Sequence, residues 1–228
     1  MTAQPSLFHA LRDAENESWE AYVRHPFTQG LGDGSLPRES YLRYLRQDYV
    51  FLIHFTRAWA LAVAKSDRIE EMRAMSATVN ALIGEEIELH IATCAREGIP
   101  GEELAATEEL PATFAYTRFV MDAGLKGDLL DLLVALAPCV LGYGEIGLRL
   151  ATESGGPPPD HTYAEWIGTY AGDDNQAVCR SVEGLIDSVA ARTLGPDPVA
   201  SPRWEDLRRL FRGACRLEAD FWEMGLNG

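Results

Sequence analysis

Apolar residues recur along most of this chain at intervals of three and four, the spacing that lines one face of an α-helix. The pattern predicts helices at about 6–24, 37–65, 68–97, 111–124, 127–153, 161–171, 174–194 and 202–226. Their ends coincide with helix punctuation. His25 precedes Pro26 and is driven out of the α region, which closes the first helix. "GLGDGS" follows as a turn, and Pro37 begins the second helix. Ser66-Asp67 caps the third, which Gly98 and Pro100 close. "SGGPPPD" and "TLGPDPVASP" read as connecting loops. No strand-length alternation, repeat, low-complexity run or Pro/Ser-rich linker interrupts the pattern. The expectation is an all-α bundle forming one domain over residues 1–228.

Laying out each apolar stripe exposes the polar residues inside it. In the second helix the stripe runs Tyr41, Tyr44, Leu45, Asp48, Phe51, Leu52, Phe55, Trp59. In the last it runs Trp204, Leu207, Phe211, Ala214, Glu218, Phe221, Trp222. Burying a carboxylate is costly unless it is paired or neutralised. Asp48 and Glu218 therefore mark either two internal ion pairs or one polar pocket shared by two helices.

The stretch "VALAPCVLGYGEIG" sets Cys139 directly after a proline, in the middle of an apolar helical run. Pro138 has no N–H for the carbonyl of Val134, so the helix should kink there. Gly142 and Gly144 thin the wall, and Tyr143 lies one turn from the sulfur. A buried cysteine at a helix crossing and a nucleophile facing a pocket both fit. "YAEWIGTYAG" adds Trp166 and Tyr170 on one face of a short helix, and Tyr116 shares a stripe with Phe119 or Val120; a buried tyrosine needs only one hydrogen-bond partner. Glu86 and His90, in "GEEIELH", have the spacing of two metal ligands, but no second helix supplies a matching histidine. An ordinary polar contact is the expectation there, with no metal. His9, His25 and His54 suggest no site.

Composition narrows the function classes. The 228 residues are 46% hydrophobic and 24% charged, and 35 acidic against 20 basic residues give a net charge of −15. No basic cluster reverses that field, which disfavours nucleic acid and anionic membrane surfaces as partners. The four cysteines, at 94, 139, 179 and 215, form no CxxC pair. The N-terminus shows no secretory pattern, and the longest nearly uncharged apolar run, about 13 residues from Leu132, is short for a bilayer. These features point to a reducing cytoplasm.

"HPFTQGLGDGSLP", "YLRYLRQDY", "APCVLGYGEIG", "WIGTYAG" and "LEADFWEM", in this order from His25 to Met224, resemble the TenA family, also called thiaminase II or aminopyrimidine aminohydrolase. The resemblance implies a haem-oxygenase-like helical bundle, assembled as a homotetramer, that works without a cofactor in thiamin salvage. Its substrate would be 4-amino-5-aminomethyl-2-methylpyrimidine, hydrolysed to the hydroxymethylpyrimidine and ammonia, with thiamin cleaved by many members. The family's nucleophile falls on Cys139 and its catalytic glutamate on Glu218. Its substrate-binding aspartate falls on Asp48, its pocket tyrosines on Tyr143, Tyr170 and Tyr116, and a ring-packing aromatic on Phe221. One position departs: where members with thiaminase activity carry a tyrosine that assists the cysteine, this chain has Phe51, which implies weaker or altered activity. Cys139 itself sets the chain apart from a branch that lacks the cysteine.

Three readings stand at this point: the aminopyrimidine hydrolase, a haem-oxygenase-like relative that binds haem, a di-metal centre or a quinone, and a non-catalytic helical regulator. The shortage of placed histidines argues against the second, and the charge argues against direct DNA contact by the third.

Overall fold

The computed structural model describes residues 6–153 and 160–228, so all but the last residue of the expected loop "SGGPPPD" lies outside the described residues. Among the described residues there are helices, turns and bends but no strand, as the period of the sequence predicts. In chain order the helices are α1 (Leu7–Ala14), α2 (Asn16–Val23), α3 (Pro26–Asp33), α4 (Arg38–Lys65), α5 (Ile69–Ala81), α6 (Ile87–Arg96), α7 (Gly101–Ala105), α8 (Pro111–Lys126), α9 (Leu129–Ala137), α10 (Tyr143–Thr152), α11 (Ala164–Ala171), α12 (Asp173–Leu194) and α13 (Trp204–Asn227). Two π-helical turns, Leu82–Glu86 and Pro138–Gly142, join α5 to α6 and α9 to α10.

The long amphipathic helices build the centre. α13 packs against α2, α4, α8 and α9, and α4 also packs against α5, α6 and α8. α9 is the innermost: every residue from Leu132 to Ala137 is buried, inside a cage that includes Trp59, Phe211 and Trp222. The continuous Leu129–Thr152 segment has a mean hydropathy of 1.7 over its most apolar window, enough to cross a membrane by length and composition. The short-run expectation from sequence therefore understated it. With 78% of that window buried in the bundle, it is a core helix.

Several local outcomes differ from the sequence expectation for identifiable reasons. The first helix breaks at Glu15, whose buried carboxylate accepts from Arg208 Nε at 2.8 Å and lies 3.2 Å from Arg212 Nη1. Residues 26–33, including four of the six residues of the expected turn, are helical. Gly32 sits there because a Cβ would meet Leu150 Cδ2 at 2.5 Å, and the chain leaves the helix only at Gly34, whose φ of 78° is left-handed. Ser66 does not cap α5 directly: it accepts from the Arg68 N–H and donates to Glu71 at 2.7 Å. α7 is a short additional helix after Pro100.

Candidate active site

The two acidic positions singled out from the helix stripes meet in the same interior. On α4, Tyr44, Asp48 and Phe51 recur at intervals of four and three and are all buried. On α13, Glu218, Phe221 and Trp222 are buried to within 1% of complete. α8 contributes Tyr116, α10 contributes Tyr143, α11 contributes Tyr170, and the second π turn contributes a half-buried Cys139.

Direct contacts tie these side chains together. The Tyr116 hydroxyl donates to Glu218 Oε1 at 2.8 Å. Phe51 stacks on Tyr116, ring centres 5.0 Å apart at 25°, and lies 5.7 Å from Phe221. Tyr44 faces Phe221 edge-on and donates to Asp48 Oδ2 at 3.3 Å, while the Trp166 indole N–H donates to the Tyr44 oxygen at 3.2 Å. Tyr143 lies 5.0 Å from Tyr170 and 5.1 Å from Trp222. Trp166 and Tyr170 pack at 4.6 Å, as their spacing of four predicts. These contacts gather Glu218, Asp48, Tyr143, Tyr170, Tyr116, Phe221 and Phe51 into one aromatic-walled cluster with two acids in it, and Cys139 lies close enough to feel the charges of Glu218 and Asp48. The shallow groove on the outer side of α4, lined by Glu39, Leu42, Arg43, Arg46, Gln47 and Leu110, shares none of them.

The electrostatics separate these acids from the other buried carboxylates. Glu15 is held by two arginines, and Glu71 by Arg192 at 2.9 Å. Among the described residues, neither Asp48 nor Glu218 has an arginine or lysine within 4 Å; the one basic group that near is His90, on Asp48. Burial without a cation disfavours the ionised form. It pushes Glu218 up to about 8, helped by the charge of Asp48 and opposed by the Tyr116 hydrogen bond. It pushes Asp48 up to about 7, opposed by the bond from Tyr44. The Cys139 thiol is raised well above its ordinary value by burial first, then by the charges of Glu218, Asp48 and Glu86. At neutral pH the site therefore holds a protonated thiol beside a glutamic acid able to donate.

The kink expected at Pro138 takes the form of a π turn. With no proline N–H to close the ladder, the helix admits an extra residue over Pro138–Gly142. Side chains from neighbouring helices hydrogen-bond to carbonyls in this turn and just after it. Tyr22 on α2 donates to the Pro138 oxygen at 3.2 Å, and Cys179 and Gln176 on α12 reach the Val140 and Gly144 oxygens at 3.5 and 3.1 Å. Gly142 permits this, since a Cβ there would lie 2.2 Å from Tyr22 Cε1.

Sequence reasoning missed two neighbours of the site. His90, read with Glu86 as a local pair, instead turns to α4: its Nε2 is 2.6 Å from the Leu45 oxygen and its Nδ1 is 3.5 Å from Asp48 Oδ2. No local spacing could have shown a partner on another helix. Tyr22 was missed for the same reason.

The sequence model of the TENA/THI-4/PQQC family matches residues 12–228. An aminopyrimidine aminohydrolase of Halalkalibacterium halodurans is 36% identical over 223 residues, covering 97% of this chain and 96% of that protein. The solved structure of a TenA family transcription regulator from Silicibacter sp. TM1040 superposes with a TM-score of 0.93 at 53% identity, over 97% of this chain and 96% of that one. A Shewanella denitrificans domain with a heme oxygenase-like fold superposes at 0.65 and 17% identity over 95% of this chain and 92% of its own, a likeness of fold alone.

Proposed function

This chain belongs to the TENA/THI-4/PQQC family, and from that premise we propose that it is an aminopyrimidine aminohydrolase of thiamin salvage, like its Halalkalibacterium halodurans relative. The reaction replaces the amine of 4-amino-5-aminomethyl-2-methylpyrimidine by water, giving the hydroxymethylpyrimidine and ammonia. The observation that carries this reading is the pair of buried acids without an arginine or lysine partner, Asp48 and Glu218, converging with Cys139 inside aromatic walls.

Each residue type has work in that reaction. Asp48 accepts from the exocyclic amino group and fixes the ring's orientation. Glu218, protonated at neutral pH, donates to a ring nitrogen and makes the ring electrophilic. Cys139 adds to a ring carbon, and electrons pushed out through the methylene expel the amine. Water then adds to that methylene and the sulfur leaves, so one difficult displacement becomes two easier steps. The resting thiol is protonated, and the substrate's own amine is the natural acceptor of that proton because ammonia leaves far more readily from an ammonium. Tyr116, Phe221, Phe51 and Tyr170 stack on the ring and limit water, with Tyr143 beside them.

The test incubates wild type, Cys139→Ala and Glu218→Gln with the aminomethylpyrimidine and, separately, with thiamin, following product by chromatography. Turnover by wild type that is lost in both variants is the expected result. Turnover that survives in Cys139→Ala overturns the covalent step, and no turnover of either compound by wild type overturns the substrate.

A further inference from the structure

His90 lies against the site, but no step of the reaction above uses it. Its Nε2 is 2.6 Å from the Leu45 carbonyl oxygen. A carbonyl only accepts, so Nε2 carries the hydrogen and Nδ1 of the neutral ring presents a lone pair. That lone pair faces Asp48 Oδ2 at 3.5 Å, with the histidine side chain 9% exposed and the aspartate 6%. Two lone pairs facing each other in a buried site repel, and one proton between them removes the conflict. The Tyr49 ring lies 6.5 Å from the imidazole, at 30° to it.

Among the described residues no other positively charged group lies within 4 Å of Asp48. On α4, Tyr41 and Tyr44 sense Asp48, as do Glu86 and Cys94 from the π turn and α6. Across the interior, Cys139, Tyr143, Tyr170 and Glu218 face it. All of these are acids, so among the described residues the one base within 4 Å of Asp48 is His90. Tyr44 and His90 both address Oδ2, and Oδ1 makes no hydrogen bond among the described residues.

We infer that His90 and Asp48 hold a single proton between Nδ1 and Oδ2, and that His90 thereby keeps Asp48 Oδ1 a hydrogen-bond acceptor for the amino group of a bound aminopyrimidine. The proton can rest on either atom: acid with neutral imidazole, or carboxylate with imidazolium. The net charge of the pair is zero in both cases and Oδ1 stays bare. Burial raises Asp48 to about 7 and lowers His90, so the pair holds one proton on the acid side of about pH 7. Without His90, the proton of Asp48 is free to sit on Oδ1, where it confronts the ligand's amino hydrogens donor to donor. His90 is thus a positioning residue acting through Asp48; its ligand side rests on the function proposed above.

Two measurements test this. The first is binding of 4-amino-5-hydroxymethyl-2-methylpyrimidine by calorimetry between pH 8 and pH 5.5. The ligand's own titration is common to all proteins and cancels in ratios. The ratio of Kd for His90→Leu to Kd for wild type should rise at least about fivefold on going from pH 8 to pH 5.5. His90→Gln, whose amide can donate to the Leu45 oxygen and accept from Oδ2, should return it to within about twofold of wild type. A ratio that stays flat with pH overturns the inference. The second is nitrogen NMR of the imidazoles, with His90 assigned by its loss in His90→Leu. The expected signal is an Nε2–H ring with Nδ1 in a hydrogen bond. An Nδ1–H tautomer overturns the pairing whether or not a pyrimidine binds. Failure of wild type to bind the pyrimidine at any pH instead overturns the function reading, and the tautomer alone then decides the pair.

Discussion

The Tyr116 phenol, wholly inside the bundle, donates a 2.8 Å hydrogen bond to Oε1 of Glu218 on the facing helix. That bond favours the ionised glutamate and so opposes the burial that raises it. It also occupies one oxygen and leaves the other for a ligand's ring nitrogen. Tyr116→Phe should lower kcat about tenfold by loosening the acid's aim. It should also move the alkaline limb of the pH–rate profile upward, because Glu218 keeps its proton to higher pH. A rate and an alkaline limb that both stay unchanged would assign Tyr116 to stacking alone, since phenylalanine keeps the ring.

The raised acids also govern stability. Glu218 has an ordinary value of 4.5 and a folded value of about 8, so between those pH values the folded chain keeps a proton that the unfolded chain has released. Stability therefore falls as pH rises through that window. Asp48, raised from 3.8 to about 7, acts with the same sign over a narrower window. Thermal melts should show Tm dropping by about 4 °C or more between pH 5 and pH 8. Glu218→Gln, neutral throughout, should have a visibly shallower slope. Equal slopes in the two proteins would mean that Glu218 is ionised in the folded state at neutral pH.

Much of this site was legible in the chain because long helices report their faces reliably. The stripe of α4 puts Asp48 between Tyr44 and Phe51, and the stripe of α13 puts Glu218 before Phe221, on spacing alone. Periodicity says which face is buried but not which residue on another helix it meets. His90 was therefore assigned to Glu86, its neighbour in sequence, instead of to Asp48 and Leu45. Pro138 predicted a disturbed helix, whereas the form of the disturbance depends on Tyr22 and Cys179, which receive the carbonyls of the π turn. The helix at Pro26–Asp33 was hidden by its glycines, whose reason is the closeness of Leu36 to Gly30 and of Leu150 to Gly32, and not a turn.

Phe51 gives a directional test of thiol activation. Its ring lies parallel to Tyr116 and beside Phe221, with no hydroxyl to offer the sulfur. Burial and the surrounding acids hold the Cys139 thiol protonated, so any added donor near the sulfur should increase the thiolate fraction. Phe51→Tyr keeps the ring and adds that donor. It should raise kcat severalfold and shift the pH dependence of Cys139 alkylation by iodoacetamide to lower pH. An unchanged rate with an unchanged alkylation profile would mean that the hydroxyl does not reach the sulfur.

The last prediction concerns the turn that carries the nucleophile. Gly142 stands one turn beyond Cys139's neighbour Pro138, and its missing Cβ is the space into which the Tyr22 ring fits, 2.2 Å from where that carbon would be. Tyr22 is itself clamped, stacked on Trp222 at 6.3 Å and set edge-on to Trp19 at 5.7 Å. It cannot retreat, so Gly142→Ala must instead displace the π turn. Overpacking of a fixed core costs about 1–3 kcal/mol, which for a chain of this size is a fall in Tm of several degrees. The larger consequence is for Cys139, whose place is set by the same carbonyl that Tyr22 holds. Gly142→Ala should reduce kcat by at least about a hundredfold, since small misplacement of a reacting group is that costly. Tyr22→Phe removes only the hydrogen bond, worth about 1 kcal/mol, and keeps the ring. Its kcat should fall far less, with KM unchanged. If the two variants lose kcat equally, the hydrogen bond to Pro138, and not the fit of the ring against Gly142, is what positions the thiol.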